Sequence, residues 1–313
     1  FAFSFSIPSS GMFANNEIIY VYHILHYIVN PVILYLEGDV MEILQIKYFM
    51  KVAATGNIAR TAAIFRVPAS SVSVSIKKLE EELSIALYEI KQIKQDSIKP
   101  KIYTLMIGPA EYSQAFQNRI LVYPEFSAIS LDIYSIEKLS NHPYYKTIPQ
   151  YMYSALGKEN IASHYVNTYL KEITFRDTPL QSLNPEATLL DCIIEEGKYL
   201  YATQTILPEK SLNYILDYTK EQMQWVEKNE ANIWSYIIEN QLLYNKDRTK
   251  YLHLIAPGPS TKNIANSPAR IGNYIGYKIV HSYMEENSIT IDSLFHTYDS
   301  QLILQQSKYK PKK

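Results

Sequence analysis

The sequence predicts a mainly helical or α+β fold made of two modules. Apolar residues recur at helical spacing through residues 41–94 and again through residues 95–313. Only two short runs, at residues 101–107 and 126–134, have the composition of β-strands. A hinge rich in proline and lysine lies at residues 99–101, so we expect a small helical bundle before it and a larger helical domain with a few strands after it.

The composition is that of a globular protein. The chain has 313 residues, of which 47% are hydrophobic and 19% charged, and this length accommodates two domains. A formal net charge of -1 provides no overall attraction to nucleic acid or anionic lipid, so any basic surface must be local. Cys192 is the only cysteine, which excludes an internal disulfide framework and an all-cysteine metal site.

Residues 1–40 are predicted to be a hydrophobic leader or a fragment of upstream sequence. The uncharged stretch at residues 18–36 approaches the length of about 20 residues that a membrane-spanning helix needs. However, it contains two histidines, Asn30 and Pro31, and has no basic flank that would orient it in a membrane. The early residues include no cysteine that could carry a lipid and no cleavage site after a basic region, so secretion is not predicted.

Residues 41–94 contain three predicted short helices with a tight turn. The first ends near Gly56, the second covers residues 59–65, and the third covers residues 69–83 after a turn at Pro68. This arrangement is typical of a helix-turn-helix, in which the last helix enters the major groove of DNA. The segment has eight basic and five acidic residues, a local charge of +3 that is compatible with DNA binding.

Three motifs in this segment resemble the DNA-binding domain of LysR-type regulators over residues 41–89. They are Met-Glu-x-x-Gln-x-x-Tyr-Phe at 41–49, Ala-Ala at 62–63 and Ile-Lys-Lys-Leu-Glu-Glu-Glu-Leu at 76–83. The resemblance implies a winged-helix-like helix-turn-helix that binds double-stranded DNA. The side chains that would contact bases or neutralise phosphates are then Ser70, Ser71, Ser73, Lys77 and Lys78.

The segment also departs from the LysR-type pattern. Val74 stands where the family has an arginine inside the recognition helix, and the wing and dimerising linker helix expected after Glu89 are missing. A small helical bundle with a solvated lysine face therefore remains the alternative interpretation of residues 41–94.

The second module is predicted to be built from long helices. Residues 188–201 and 223–244 both show apolar residues on one helical face. Gly272 and Gly276 are four residues apart in a third helical pattern and let another backbone approach closely, while Arg270 is expected in the first turn after Pro268. We interpret this motif either as helix packing or as a binding groove organised by Arg270.

Motifs spread through the second module resemble the GldB family of gliding-motility lipoproteins over about residues 99–313. They are Leu-Asp-Ile-Tyr at 131–134, Pro-Tyr-Tyr-Lys at 143–146, Glu-x-x-Glu-x-x-Ile-Trp at 227–234, Ser-Pro-Ala-Arg-Ile-Gly-x-x-x-Gly-Tyr at 267–277 and Ser-Lys-Tyr-Lys-Pro at 307–311. The resemblance implies a mainly helical, zincin-like domain, a place at the cell envelope, and protein partners of the motility or envelope machinery.

The zincin-like helix predicted at residues 188–201 lacks the residues that zinc peptidases need. Such enzymes carry His-Glu-x-x-His on one helix, and this helix contains no histidine. A substitute metal site could be built only from Asp191, Cys192, Glu195 or Glu196, with Glu230 as a distant ligand. We therefore expect a degenerate domain with no catalytic residue, no metal, no cofactor and no small-molecule substrate.

The remaining candidates for chemistry are isolated. The histidines of the second module are scattered singly and are assigned no role: His142, His164, His253, His281 and His296. Cys192 has acidic neighbours that oppose thiolate formation, so we expect a buried structural residue. Nucleophile elbows and phosphate loops are absent from the sequence.

Two functions of different classes follow from these patterns. The leading hypothesis is a non-catalytic, gliding-motility-associated protein fused to a LysR-like helix-turn-helix. The alternative is a DNA-binding transcriptional regulator with an atypical C-terminal sensing domain. Peptidase activity is a third possibility that rests only on fold analogy.

Overall fold

A computed structural model describes most of the second module and short parts of the first. The described residues are 58–66, 68, 70, 100–105, 119–124, 126–131, 133–135 and 149–311. Helix α1 (Ile58–Phe65) and an exposed helical Ser70 belong to the predicted helix-turn-helix. The rest of that prediction, with Ser71, Ser73, Lys77 and Lys78, lies outside the described residues, as does the hydrophobic stretch near the start.

The described chain is mainly helical, as predicted, with one small sheet. Strands β1 (Lys101–Leu105), β2 (Ile120–Val122) and β3 (Phe126–Ser130) are arranged in the order β1-β3-β2. Strands β1 and β3 are parallel, and β2 is antiparallel to β3. Strands β1 and β3 begin where the sequence predicted them, and β3 ends earlier than predicted, at Ser130. Strand β2 is too short to produce a recognisable pattern.

Nine α-helices follow the sheet within residues 149–311. They are α2 (Ile161–Tyr169), α3 (Leu189–Ile206), α4 (Leu212–Ile215), α5 (Lys220–Lys228), α6 (Glu230–Glu239), α7 (Arg248–Ile255), α8 (Ile271–Asn287), α9 (Ile291–His296) and α10 (Ser300–Ser307). A π-helical turn, Leu170–Thr174, extends α2. Within this range, none of the described helices is long and apolar enough to cross a membrane.

Side-chain caps explain where several of these helices begin. Thr188 and Asp191 form a reciprocal capping box at the start of α3, and Thr219 and Gln222 form another at the start of α5. The predicted helix at residues 188–201 is thus confirmed and continues for five further residues. The cap satisfies backbone N–H groups that would otherwise lack a partner.

The helix predicted over residues 223–244 is instead two helices, α5 and α6. They are separated at Asn229, whose φ of -110° and ψ of 13° are not helical. The side-chain amide of Asn229 donates to the carbonyl of Trp225 at 2.8 Å, a local bond that competes with helix continuation. The sequence pattern missed this break because the apolar spacing continues through it.

Helix α3 separates two apolar cores and contributes to both. One face packs with α8 through residues such as Ile193 and Leu200. The other face carries Tyr199, Ala202 and Ile206 into a core shared with α2 and the sheet. Helix α3 therefore fixes the position of the α2 side of the domain relative to α8.

Helices α3 and α8 touch through their backbones. A Cβ added at Gly276 would overlap the carbonyl of Ile193, and one added at Gly197 would overlap the carbonyl of Gly276. A Cβ at Gly272 would lie 3.1 Å from the carbonyl oxygen of Leu254 on α7. The close backbone approach predicted for Gly272 and Gly276 is thus present, and it brings the start of α8 beside α2.

Candidate functional site

A polar cleft of about 200 Å³ opens where α2, α3 and the start of α8 meet the turn at residues 215–217. Its walls are largely polar, in contrast to the two apolar cores on either side of α3. Its charged or titratable lining side chains are Arg119, His164, Lys171, Glu196, Asp217 and Arg270. Because they come from five separate parts of the chain, only the tertiary fold assembles them.

His164 and Asp217 form the buried base of this cleft. Nε2 of His164 lies 2.6 Å from Oδ1 of Asp217, and the two side chains are only 8% and 14% exposed. The side-chain amide of Asn160 also donates to Oδ1 of Asp217 at 3.2 Å. Asp217 is therefore held by side chains that belong to, or directly precede, α2.

Both ring nitrogens of His164 have protein partners. Nδ1 lies 2.9 Å from the hydroxyl of Tyr134 and accepts the Nε–H of Arg119 at 3.4 Å. A nitrogen that accepts from a guanidinium carries no proton, so the proton of the neutral ring lies on Nε2 and is donated to Asp217. Burial lowers the pKa of His164, and the charges of Arg119 and Arg270 lower it further, although Asp217 opposes this shift.

Arg270 closes the other side of Asp217. Its guanidinium donates to Oδ2 of Asp217 at 3.3 Å and to the carbonyl of Leu216 at 2.7 Å. Burial by itself raises the pKa of Asp217, but His164 and the guanidinium of Arg270 outweigh burial and hold that pKa well below its usual range. Asp217 is consequently ionised at neutral pH.

Asp217 and Arg270 both have left-handed backbone conformations, each with a φ of 57°. This region is unfavourable for residues with a Cβ and persists where surrounding contacts stabilise it. Here the ion pair between the two side chains and the bond from Arg270 to Leu216 supply such contacts. Arg270 is the N-cap of α8 and not a residue of its first turn, which corrects the sequence prediction.

The outer wall of the cleft is charged and partly exposed. Nζ of Lys171 lies 2.9 Å from Oε2 of Glu196, and each side chain is about one-third exposed. Asn273, in the first turn of α8, and Asn167 on α2 line the same opening. These amides present hydrogen-bonding groups beside the ion pair.

The predicted groove motif is divided by the structure. Arg270 lies in the cleft, whereas Gly272 and Gly276 lie against α7 and α3 and serve packing. The packing interpretation accounts for the two glycines, which set the distance between helices. The binding-groove interpretation stays a prediction that concerns Arg270, which lines the cleft.

The carboxylates named above as substitute zinc ligands each have different partners. Asp191 caps its own helix, Glu195 accepts from the backbone N–H and hydroxyl of Ser182, and Glu196 binds Lys171. The carboxylate of Glu230 accepts from the hydroxyls of Tyr274 and Tyr309. Within the ranges that the structure describes, no three His, Cys, Asp or Glu side chains are grouped so that they could hold a metal ion.

Cys192 is buried, as predicted. Its Sγ lies 3.9 Å from the hydroxyl of Tyr251, and burial raises the pKa of the thiol. A buried, protonated thiol is a poor nucleophile and a poor metal ligand.

Sequence analysis did not identify His164, Asp217 or Arg119 as members of a site. His164 was assigned no role, yet it orients the central carboxylate of the cleft. It is 53 residues from Asp217 and 45 from Arg119, and no spacing rule connects such positions. Only the left-handed turn at Asp217, which brings it beside α2, joins them.

Comparison with known proteins gives one match. The family model of gliding motility protein GldB matches residues 63–311. No curated protein and no solved structure matches the chain. The match begins well before residue 99 and inside the predicted helix-turn-helix, and none of these comparisons provides evidence for a LysR-type domain.

Proposed function

The chain belongs to the family of the gliding motility protein GldB, and from this premise we propose that it binds a protein partner at the cell envelope and performs no chemistry. The family membership makes it a gliding-motility-associated protein. The proposal adds that partner binding, through the polar cleft, is how it acts.

The non-catalytic part of the proposal is supported by the hydrogen-bond partners of the side chains that could act in catalysis. Both ring nitrogens of His164 have protein partners, Asp217 at Nε2 and Tyr134 with Arg119 at Nδ1, as expected of a side chain that positions its neighbours. The carboxylates of α3 point to separate partners and not to a common centre. These contacts suit a rigid support better than a reacting centre.

Genetic complementation tests this proposal. In a strain that lacks the gene, a variant with Cys192→Ala and Glu195→Gln should restore gliding as well as the native protein does. These changes remove the thiol and one carboxylate of the zincin-like helix and leave the cleft intact. Loss of gliding with undiminished protein level would show that the helix does chemistry, and the proposal would then fail.

The alternative function, DNA binding by a transcriptional regulator, is supported by the sequence resemblance over residues 41–89. Fluorescence anisotropy with random double-stranded DNA at two salt concentrations tests it. A regulator should bind more weakly as salt rises and lose binding when Lys77 and Lys78 are changed to alanine. Absence of binding at low salt would contradict the regulator function and leave the motility-associated function as the remaining candidate.

A further inference from the structure

We propose that the polar cleft is a subsite for a carboxylate group of the protein partner. The inference rests on the proposed function, because it specifies which chemical group the partner inserts. The group is the carboxylate of an acidic side chain or of a free C-terminus, which have the same chemistry.

The charge of the cleft favours an anion. Arg119, Lys171 and Arg270 are cationic, Glu196 and Asp217 are anionic, and His164 is neutral because its Nδ1 accepts a hydrogen bond. Among the described side chains that line the cleft, the balance is a surplus of one positive charge. The start of α8 lies in the same wall, and the N-terminus of a 17-residue helix adds a partial positive charge.

Arg270 has the geometry to bind the carboxylate. Its guanidinium has five N–H donors, of which the contacts found among the described residues use one towards Leu216 and one towards Asp217. The side chain is 26% exposed and lines the cleft. Such a fork binds carboxylates through paired, charge-assisted hydrogen bonds.

The size of the cleft favours one group of a larger partner over a whole small molecule. A cavity of about 200 Å³ is below the roughly 300–1,000 Å³ typical of small-molecule sites. It accommodates a short acidic side chain or a chain end. Asn167 and Asn273 border the opening and offer amide donors that would orient the bound group.

The binding test uses the purified full chain and three short peptides, each titrated by NMR. The first has one glutamate between neutral residues and blocked ends. The second has glutamine in its place, and the third has neutral side chains and a free C-terminus. Inorganic phosphate is titrated in parallel, because it is an anion that is not part of a polypeptide.

Two matched variants locate the binding. Asn273→Asp places a negative charge in the cleft at the third position of α8, where an acidic residue also favours the helix. Asn232→Asp makes the same change at the third position of α6, on an exposed surface. Binding of the glutamate or free-terminus peptide should weaken at least about tenfold in the first variant and remain unchanged in the second.

Removal of the guanidinium gives an independent test. Arg270→Gln should weaken carboxylate binding at least about tenfold, and Arg176→Gln on an exposed side chain should not. Arg270→Gln also deprives Asp217 of a partner and endangers folding. If Arg270→Gln does not fold, the Asn273→Asp result decides.

The outcomes separate the two proposals. The subsite is supported if the glutamate peptide or the free-terminus peptide binds and Asn273→Asp weakens that binding. The peptide that binds shows whether the carboxylate comes from a side chain or from a chain end. Equal binding of the glutamine peptide, insensitivity to Asn273→Asp, or binding of phosphate alone would overturn it. Cleavage of a peptide, detected by mass spectrometry, would instead overturn the non-catalytic function.

Discussion

At the scale of single residues, Asp217 connects the two sides of the cleft. It accepts hydrogen bonds from Asn160 and His164 on the α2 side and from Arg270 at the start of α8. Asn160 and His164 bond Oδ1 and Arg270 bonds Oδ2, so the carboxylate connects all three side chains. The contribution of the cleft to the free energy of unfolding therefore depends on the charge of Asp217.

Replacing Asp217 with asparagine should be strongly destabilising. The change leaves the guanidinium of Arg270, whose side chain is 26% exposed, without its counter-charge, and loss of one member of a largely buried pair costs about 3 kcal/mol. Denaturant unfolding monitored by circular dichroism measures the effect. Asp177→Asn, at a side chain that is 95% exposed, is the control and should leave the midpoint unchanged.

The lowered pKa of His164 predicts loss of stability in mild acid. In the unfolded chain, a histidine takes up a proton near pH 6.5, whereas the folded protein resists protonation because His164 is buried near Arg119 and Arg270. The unfolded state then binds more protons, so the free energy of unfolding should fall as pH drops from 7 to 5.

Unfolding midpoints of the native protein and of His164→Gln across this pH range test the assignment. The variant should show a shallower decline with pH. Part of the slope should remain, because burial and Lys262 also lower the pKa of His253. An unchanged slope in His164→Gln would contradict the assignment.

At the scale of elements, the contact between α3 and α8 places the cleft. The backbone of α8 at Gly276 meets the backbone of α3 at Ile193 and Gly197. Neither glycine has room for a Cβ. This contact determines how near the first turn of α8 lies to α2. The glycines thus act on the site indirectly, through the distance between two helices.

Gly276→Ala should separate these helices. The new Cβ would overlap the backbone of Ile193, which cannot move as a flexible side chain can, so we expect a loss of about 3 kcal/mol or more in unfolding free energy. Thermal unfolding measures it. Gly258→Ala is the matched control, because its Cβ would meet only ordinary contacts at 3.6 Å and beyond.

At the scale of the whole molecule, the last described residues close the helical domain. The hydroxyl of Tyr309 donates to Oε1 of Glu230 at 2.9 Å, and the hydroxyl of Tyr274 donates to Oε2 at 3.0 Å. Glu230 is only 1% exposed. Tyr309 is thereby attached to the start of α6 and, through the shared carboxylate of Glu230, to Tyr274 near the start of α8.

Tyr309→Phe should loosen this closure without removing the aromatic ring that packs against Trp234. The buried carboxylate loses one hydrogen bond, which should reduce the free energy of unfolding by about 1–2 kcal/mol. Differential scanning calorimetry provides the measurement. An equal loss in Tyr298→Phe, where the side chain is largely exposed, would indicate a nonspecific effect of removing a hydroxyl.

Local patterns of the second module could be predicted from the sequence. The start of α3, the first residues of β1 and β3, the burial of Cys192 and the close approach at Gly276 all follow from residues near one another in the chain. The motifs behind the family resemblance are likewise local. These features were predictable because capping, periodicity and the absence of a Cβ act over a few residues.

The tertiary structure alone decided the cleft. His164, Asp217 and Arg270 belong to segments about fifty residues apart, and the left-handed turns at Asp217 and Arg270 had no sequence signal such as glycine. These residues are far apart in the chain, and the packing of α3 against α2 and α8 brings them together. The sequence by itself therefore determined the family and the helical framework, while long-range packing determined which charges share a site.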